Sequence, residues 1–167
     1  CINGIGGVPI RIGQADCEIW FGEARGRQNE TKLFHDYLLP ISSPENTRRV
    51  SALPSTVRLE GFPLLHLDCY RSDPASIGWP EWTSKYGYRK TAAERGIRYS
   101  HVLHALEAVY SNAGMLICGL ALVQTQLDSG QVSITFTLHP GYWTGHAIQI
   151  QFTDPSIACT QFAQFQT

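Results

Sequence analysis

The stretch FPLLHLDCY (residues 62–70) leads through Trp79-x-x-Trp82 to SHVLHALEAVYSNAGMLICGLALV (residues 100–123) and then to LDSGQV (residues 127–132). Phe62 to Leu67 is an almost unbroken apolar run of strand length, ending at Asp68-Cys69-Tyr70. In the second segment, Val102, Leu106, Val109 and Ala113 recur at helical spacing. Ser100 stands where a hydroxyl caps the free N–H groups, and Gly114 where a left-handed residue ends the helix. Met115 to Val123 is again continuously apolar and is read as a strand. A buried strand, a helix and a second buried strand in this order predict an α/β fold with a partly parallel sheet.

Outward from this centre the pattern continues. Ile10-Arg11-Ile12 and Ala15 to Phe21 are expected strands, with glycines between them, and Glu23 to Thr31 an expected loop. Tyr37 to Ile41 is a short strand. Ser43-Pro44-Glu45 has the form of a helix start: a hydroxyl cap, a proline at the first position and an acid at the positive end of the dipole. A helix over Pro44 to Val50 follows. Arg71 to Pro80 is a loop, Glu81 to Lys85 a helical turn, and Ile97 to Tyr99 a brief strand. Val132 to Phe136 and His146 to Phe152 alternate as strands do, and Asp154-Pro155-Ser156 opens a last helix.

At 167 residues, 43% apolar and 16% charged, the chain has the composition of a globular protein rather than a disordered or fibrous one. No apolar stretch approaches the roughly 20 residues that cross a bilayer, and no export leader opens it. A net charge of −1 provides no broad positive field for nucleic acid. Cys1, Cys17, Cys69, Cys118 and Cys159 are odd in number and never form CxxC, which suits reduced thiols in a cytoplasmic protein.

The ordered pieces resemble the effector-binding domain of LysR-type transcriptional regulators. Asp16-Cys17-Glu18-Ile19-Trp20-Phe21-Gly22 resembles a first-lobe strand of that family, and Leu38 to Pro44 its first crossover with the Ser-Pro helix start. Leu64-Leu65-His66 with Trp79-x-x-Trp82 and Gly87 resembles the opening of the second lobe. Ser100 to Ala121 resembles its helix, Ala-Gly turn and strand, and Leu127 to Val132 with Phe162 and Phe165 the return to the first lobe. The chain departs from the family at Leu116, where a second glycine is common, and at Cys17 and Glu18.

The resemblance implies a type 2 periplasmic-binding-protein-like fold, two α/β lobes joined by crossover strands, with the first lobe incomplete. Residues 1–39 would form the first lobe in part, 40–143 the second, and 144–167 the return. A small-molecule effector is expected between the lobes. DNA is expected only through a helix-turn-helix that would precede Cys1, and a homodimer or homotetramer is expected, with Leu103 and Tyr110 on the Ser100–Ala113 helix as candidate contacts. No cofactor, metal or membrane partner is expected.

Loops after strands and helix N-termini line such clefts, which selects Phe21, Gly22, Leu67, Asp68, Cys69, Trp79, Ser100 and His101 as effector-binding candidates. Each has a plainer reading. Ser100 and His101 are a ligand-binding helix start or simply a cap, Asp68 and Cys69 a contact or merely a strand end, and Trp79 a stacking platform or packing. Ser42 and Ser43 read as caps. His101, His104 and Glu107 have a spacing too common to predict a metal. Catalysis is not expected: Cys69 near His66 admits a thiol hydrolase, but no nucleophile elbow, phosphate loop or metalloprotease helix is present. The expected function is therefore effector binding in a LysR-type regulator, the ligand a small aromatic or aliphatic acid; the alternative is a periplasmic type 2 solute-binding protein for a small organic acid.

Overall fold

The computed structural model describes residues 17–22, 30–54, 58–68, 77–136 and 143–152, with backbone alone for 17–22, 35 and 143–152. The chain divides into two compact units, Cys1–Asp36 with Gly145–Thr167, and Tyr37–Thr144. In the first unit, strand β1 (Cys17–Gly22) pairs antiparallel with β7 (Trp143–Phe152), Cys17 opposite Phe152 and Gly22 opposite Ala147. Strand β2 (Glu30–Ser42) starts in this unit and runs on into the second. It is longer than the Tyr37–Ile41 strand expected, because its first half is polar and carries no apolar run to reveal it.

The second unit is built on a mixed sheet. Strand β2 pairs antiparallel with β5 (Met115–Gly119), which lies parallel to β3 (Leu64–Leu67), which in turn lies parallel to β4 (Ile97–Tyr99). The two-residue β6 (Ser133–Ile134) joins β2 on its other side. Side chains alternate across this sheet. Leu65, Leu116 and Cys118 enter a cluster with Ala105, Leu106 and Val109 of helix α3 (Val102–Tyr110). Leu64, Met115 and Ile117 enter the opposite cluster, with Val50 of α1 (Pro44–Ser51) and Trp79 and Trp82 of α2 (Trp79–Tyr86). Helices cover both faces, which is why β3 and β5 read as unbroken apolar runs rather than as alternating ones.

Helix α1 starts as its sequence demands: Ser43 Oγ accepts the Asn46 N–H at 3.2 Å, and Pro44 sits in the first turn. Three other boundaries differ from expectation. The residue at the N-cap of α3 is His101, not Ser100, and its side chain makes no capping bond. At the other end, Asn112 takes the left-handed conformation (φ 61°), with Asn112 N–H on Val109 O at 3.1 Å and Ala113 N–H on Ala108 O at 2.9 Å. These two bonds complete the paired closure that glycine usually supports and asparagine tolerates. Gly114 is needed for space instead, since a Cβ there would meet Pro63 O at 2.6 Å.

Third, the Met115–Val123 run is not one strand. It leaves the sheet after Gly119 and coils into a 3₁₀ turn (Leu120–Leu122) and α4 (Gln124–Asp128), leaving Leu122 exposed and Val123 buried. Apolar continuity reports burial, not conformation. Of the Val132–Phe136 segment, only Ser133–Ile134 pairs in the sheet. The expected Ile10–Ile12 strand and the helix from Asp154 lie outside the described residues. None of the helices among the described residues is long and apolar enough to cross a membrane.

Candidate functional site

In the second unit a concavity of about 330 Å³ opens where β3 ends, bounded by the start of α2 and the segment leading into β4. Parallel strands leave a crevice beyond their carboxyl ends, and here three neighbouring strands, β5, β3 and β4, run parallel. His66, Leu67 and Asp68 come to the concavity from β3, Gly78, Trp79 and Glu81 from α2, and Glu94 and Arg98 from the β4 side.

Trp79 fixes the wall. Its indole N–H donates to the Leu65 carbonyl at 2.9 Å, its ring meets Trp82 edge-on at 5.8 Å, and it is 1% exposed. It lines the concavity as packing that ties the start of α2 to the central strand, not as an open stacking face. The Gly78 N–H at the helix start donates to Glu81 Oε2 at 3.1 Å, so the chain's own carboxylate sits at the positive end of α2.

His66 shares its face of β3 with Leu64 and is buried, 7% exposed. Its Nε2 lies 3.3 Å from the Arg95 carbonyl oxygen, which can only accept, so Nε2 carries the proton of the neutral ring and Nδ1 is left as an acceptor. Burial is the main cause that holds the imidazole below its usual proton affinity; the Arg95 carbonyl opposes it, and the charge of Arg98 adds to it. This arrangement depends on Gly96, with φ +156°: a Cβ there would stand 2.0 Å from Leu64 O and 2.9 Å from the His66 ring. Asp68 and Arg98 form an ion pair at 3.1 Å, both side chains partly exposed, and Arg98 also donates to Glu94 O at 3.2 Å.

Of the residues selected from sequence, Leu67, Asp68 and Trp79 therefore meet on one concavity. Ser100 and His101 are exposed at the head of α3 and are not among its lining. Phe21 and Gly22 lie in β1, in the other unit, and Cys69 lies outside the described residues. Sequence reasoning did not single out His66, Glu81, Glu94 and Arg98, which also line the concavity. The signal available for His66 was its strand period, which sets it on the buried side with Leu64; Glu94 and Arg98 carried none beyond their charge. Among the described residues no three metal-ligating side chains converge, and the His101 and His104 rings stand edge-on at 5.7 Å.

No protein-family model matches the chain. In sequence it is similar to the glycine cleavage system transcriptional activator of Escherichia coli (strain K12), 27% identical over 105 residues, which are 63% of this chain and 32% of that protein. The chain spans about a third of the length of this relative. In structure it is similar to the AmpR effector binding domain from Citrobacter freundii, with a TM-score of 0.64 at 18% identity, covering 90% of this chain and 72% of that one. It is also similar to the regulatory domain of CrgA, a LysR-type transcriptional regulator from Neisseria meningitidis, with a TM-score of 0.59 at 15% identity, covering 85% and 71%.

The fold is thus the type 2 periplasmic-binding-protein-like fold of LysR-type effector-binding domains, as its motifs implied. The sequence relatives are LysR-family transcriptional regulators rather than enzymes, and nothing in the comparisons favours a periplasmic solute-binding protein.

Proposed function

We propose that the chain is the part of a LysR-type regulator that senses a small molecule, and that the concavity at the end of β3 is where this unit touches it. The observation that carries the reading is the concavity itself: a buried imidazole, an ion pair and a helix start converge beyond the carboxyl ends of parallel strands, in a fold whose relatives are regulators. His66, Leu67 and Asp68 are the direct contacts, and Trp79 is the wall that positions them. Effector binding shifts the population of an oligomer between two arrangements, and helix-turn-helix domains of the parent protein read the difference on DNA in the cytoplasm. Neither the domain nor its effector undergoes chemistry. The exposed face of α3, where Leu103 is 70% exposed, is the proposed contact between copies.

The test is a ligand screen on the 167-residue chain by nuclear magnetic resonance, using small amines and acids at millimolar concentration. Shifts confined to the Trp79 indole, the Gly78 amide and the His66 ring, abolished by Asp68→Ala, support the site. Ligands that bind while leaving all three signals unmoved refute it.

A further inference from the structure

Between α2 and β4 the chain runs as an irregular strap, residues 87–96, whose far end brings Glu94 to the concavity and the Arg95 carbonyl to His66. Its near end is fastened to the turn that precedes β3. The Arg89 guanidinium spans three main-chain carbonyls: Nη1 donates to Leu59 O at 3.0 Å and to Phe62 O at 2.7 Å, and Nε donates to Thr91 O at 2.8 Å. The Leu59 N–H donates back to the Tyr88 carbonyl at 3.0 Å. Beside this clasp, Glu60 accepts the Lys90 N–H at 2.6 Å and the Thr91 hydroxyl at 2.9 Å.

The backbone gives an independent sign that the strap is held in place. Tyr88 (φ 72°) and Ala92 (φ 53°) take the left-handed conformation that residues with side chains disfavour, and such a conformation persists only where the surroundings over-determine it. One restraint is the Tyr88 ring, stacked on Trp82 at 5.7 Å and on Phe136 at 4.6 Å. The Arg89 clasp is the other. At the far end the same strap meets β3 and β4 again, through His66 Nε2 on Arg95 O at 3.3 Å and Arg98 on Glu94 O at 3.2 Å.

We propose that Arg89 is a positioning residue for the site: although it does not line the concavity, it fastens the strap to the turn before β3 and so sets where the strap's far end meets His66 and Arg98. The importance of this for sensing rests on the effector-site reading. Serving three carbonyls takes the planar fork of arginine; a lysine keeps the charge but not the fork.

Arg89→Lys therefore tests geometry apart from charge. The readout is the titration of the His66 ring in the 167-residue chain, followed by nuclear magnetic resonance. Burial is the main cause that holds the proton affinity of His66 down; the Arg95 carbonyl and Asp68 raise it, and the charges of Arg98 and Arg89 lower it. With the charge kept and the cover loosened, the midpoint is expected to rise toward the usual 6.5. Glu60→Gln, which opens only the exposed half of the clasp, is expected to move it the same way by less. Arg58→Lys, at a guanidinium bonded to Leu53 O, is the control and is expected to leave it in place. An unmoved midpoint in both Arg89→Lys and Glu60→Gln overturns the inference, and so does an equal shift in Arg58→Lys. Fluorescence of the buried Trp79 and Trp82 reports folding; should Arg89→Lys fail to fold, an unmoved midpoint in Glu60→Gln alone overturns it. No ligand enters this experiment, so its failure is distinct from failure of the screen that tests the effector site.

Discussion

Replacing Gly96 with alanine isolates what holds β4 beside the site. At φ +156° a residue with a side chain bears about 1–3 kcal/mol of backbone strain. The new Cβ would also stand 2.0 Å from Leu64 O. That oxygen belongs to β3, which is paired on both sides and cannot yield. Among the described residues strand β4 pairs with β3 alone and must move outward instead, and a forced displacement of this kind costs about another 1–3 kcal/mol. The combined loss, about 2–6 kcal/mol, is a large share of the ~5–15 kcal/mol that stabilises a domain.

The control is Gly61→Ala. Gly61 also has a positive φ, +73°, but a Cβ there meets nothing within 4 Å, so only the conformational cost of about 1–2 kcal/mol applies. Urea unfolding followed by tryptophan fluorescence measures both, since Trp79 and Trp82 are buried in this unit. Gly96→Ala is expected to lose about 1–3 kcal/mol more than Gly61→Ala, the difference reporting the contact with Leu64 and His66. Equal losses would refute the argument that Gly96 is required by space.

Ser43→Ala removes the acceptor of the Asn46 N–H and is expected to destabilise the chain by about 1 kcal/mol, while Ser43→Gly costs only a few tenths; equilibrium denaturation separates them. For His66 the folded proton affinity is lowered from the usual 6.5, so below that pH the unfolded chain binds more protons. Its contribution is full above pH 6.5 and declines as the pH falls from there toward the lower folded value, and His66→Gln is expected to flatten this limb of the denaturation-midpoint profile. Leu103→Glu, at an exposed position on α3, is expected to leave stability within about 0.5 kcal/mol but to weaken self-association in sedimentation; unchanged association removes α3 as the contact.

What was legible in the sequence follows from which interactions are local. The apolar runs at β3 and β5 announced strands buried on both faces, and the spacing of Val102, Leu106 and Val109 announced the covered face of α3. The ends were less legible. Ser100 and His101 both stand where a cap belongs, and hydroxyl preference favours the wrong one. Asn112 and Gly114 both suit a left-handed turn, and only the course of the chain past Pro63 shows that Gly114 is required for clearance. That Leu67 and Asp68 line a concavity was legible because a buried strand must end somewhere open.

The rest of the site was hidden because its bonds cross long stretches of chain. His66 meets Arg95, and Asp68 meets Arg98, across 29 and 30 residues, along a path set by the backbone of Gly96, one of 15 glycines with nothing local to distinguish it. The grouping of charges at the concavity was hidden for the same reason. A net charge of −1 over the whole chain suggests near neutrality. Folding nevertheless brings Asp68, Glu81, Glu94 and Arg98, from segments far apart in sequence, to line one concavity, with Arg98 paired to Asp68. Such grouping is what a whole-chain charge cannot report, because exposed charges beyond about 8–10 Å of one another are largely screened by salt while neighbours in a concavity are screened less.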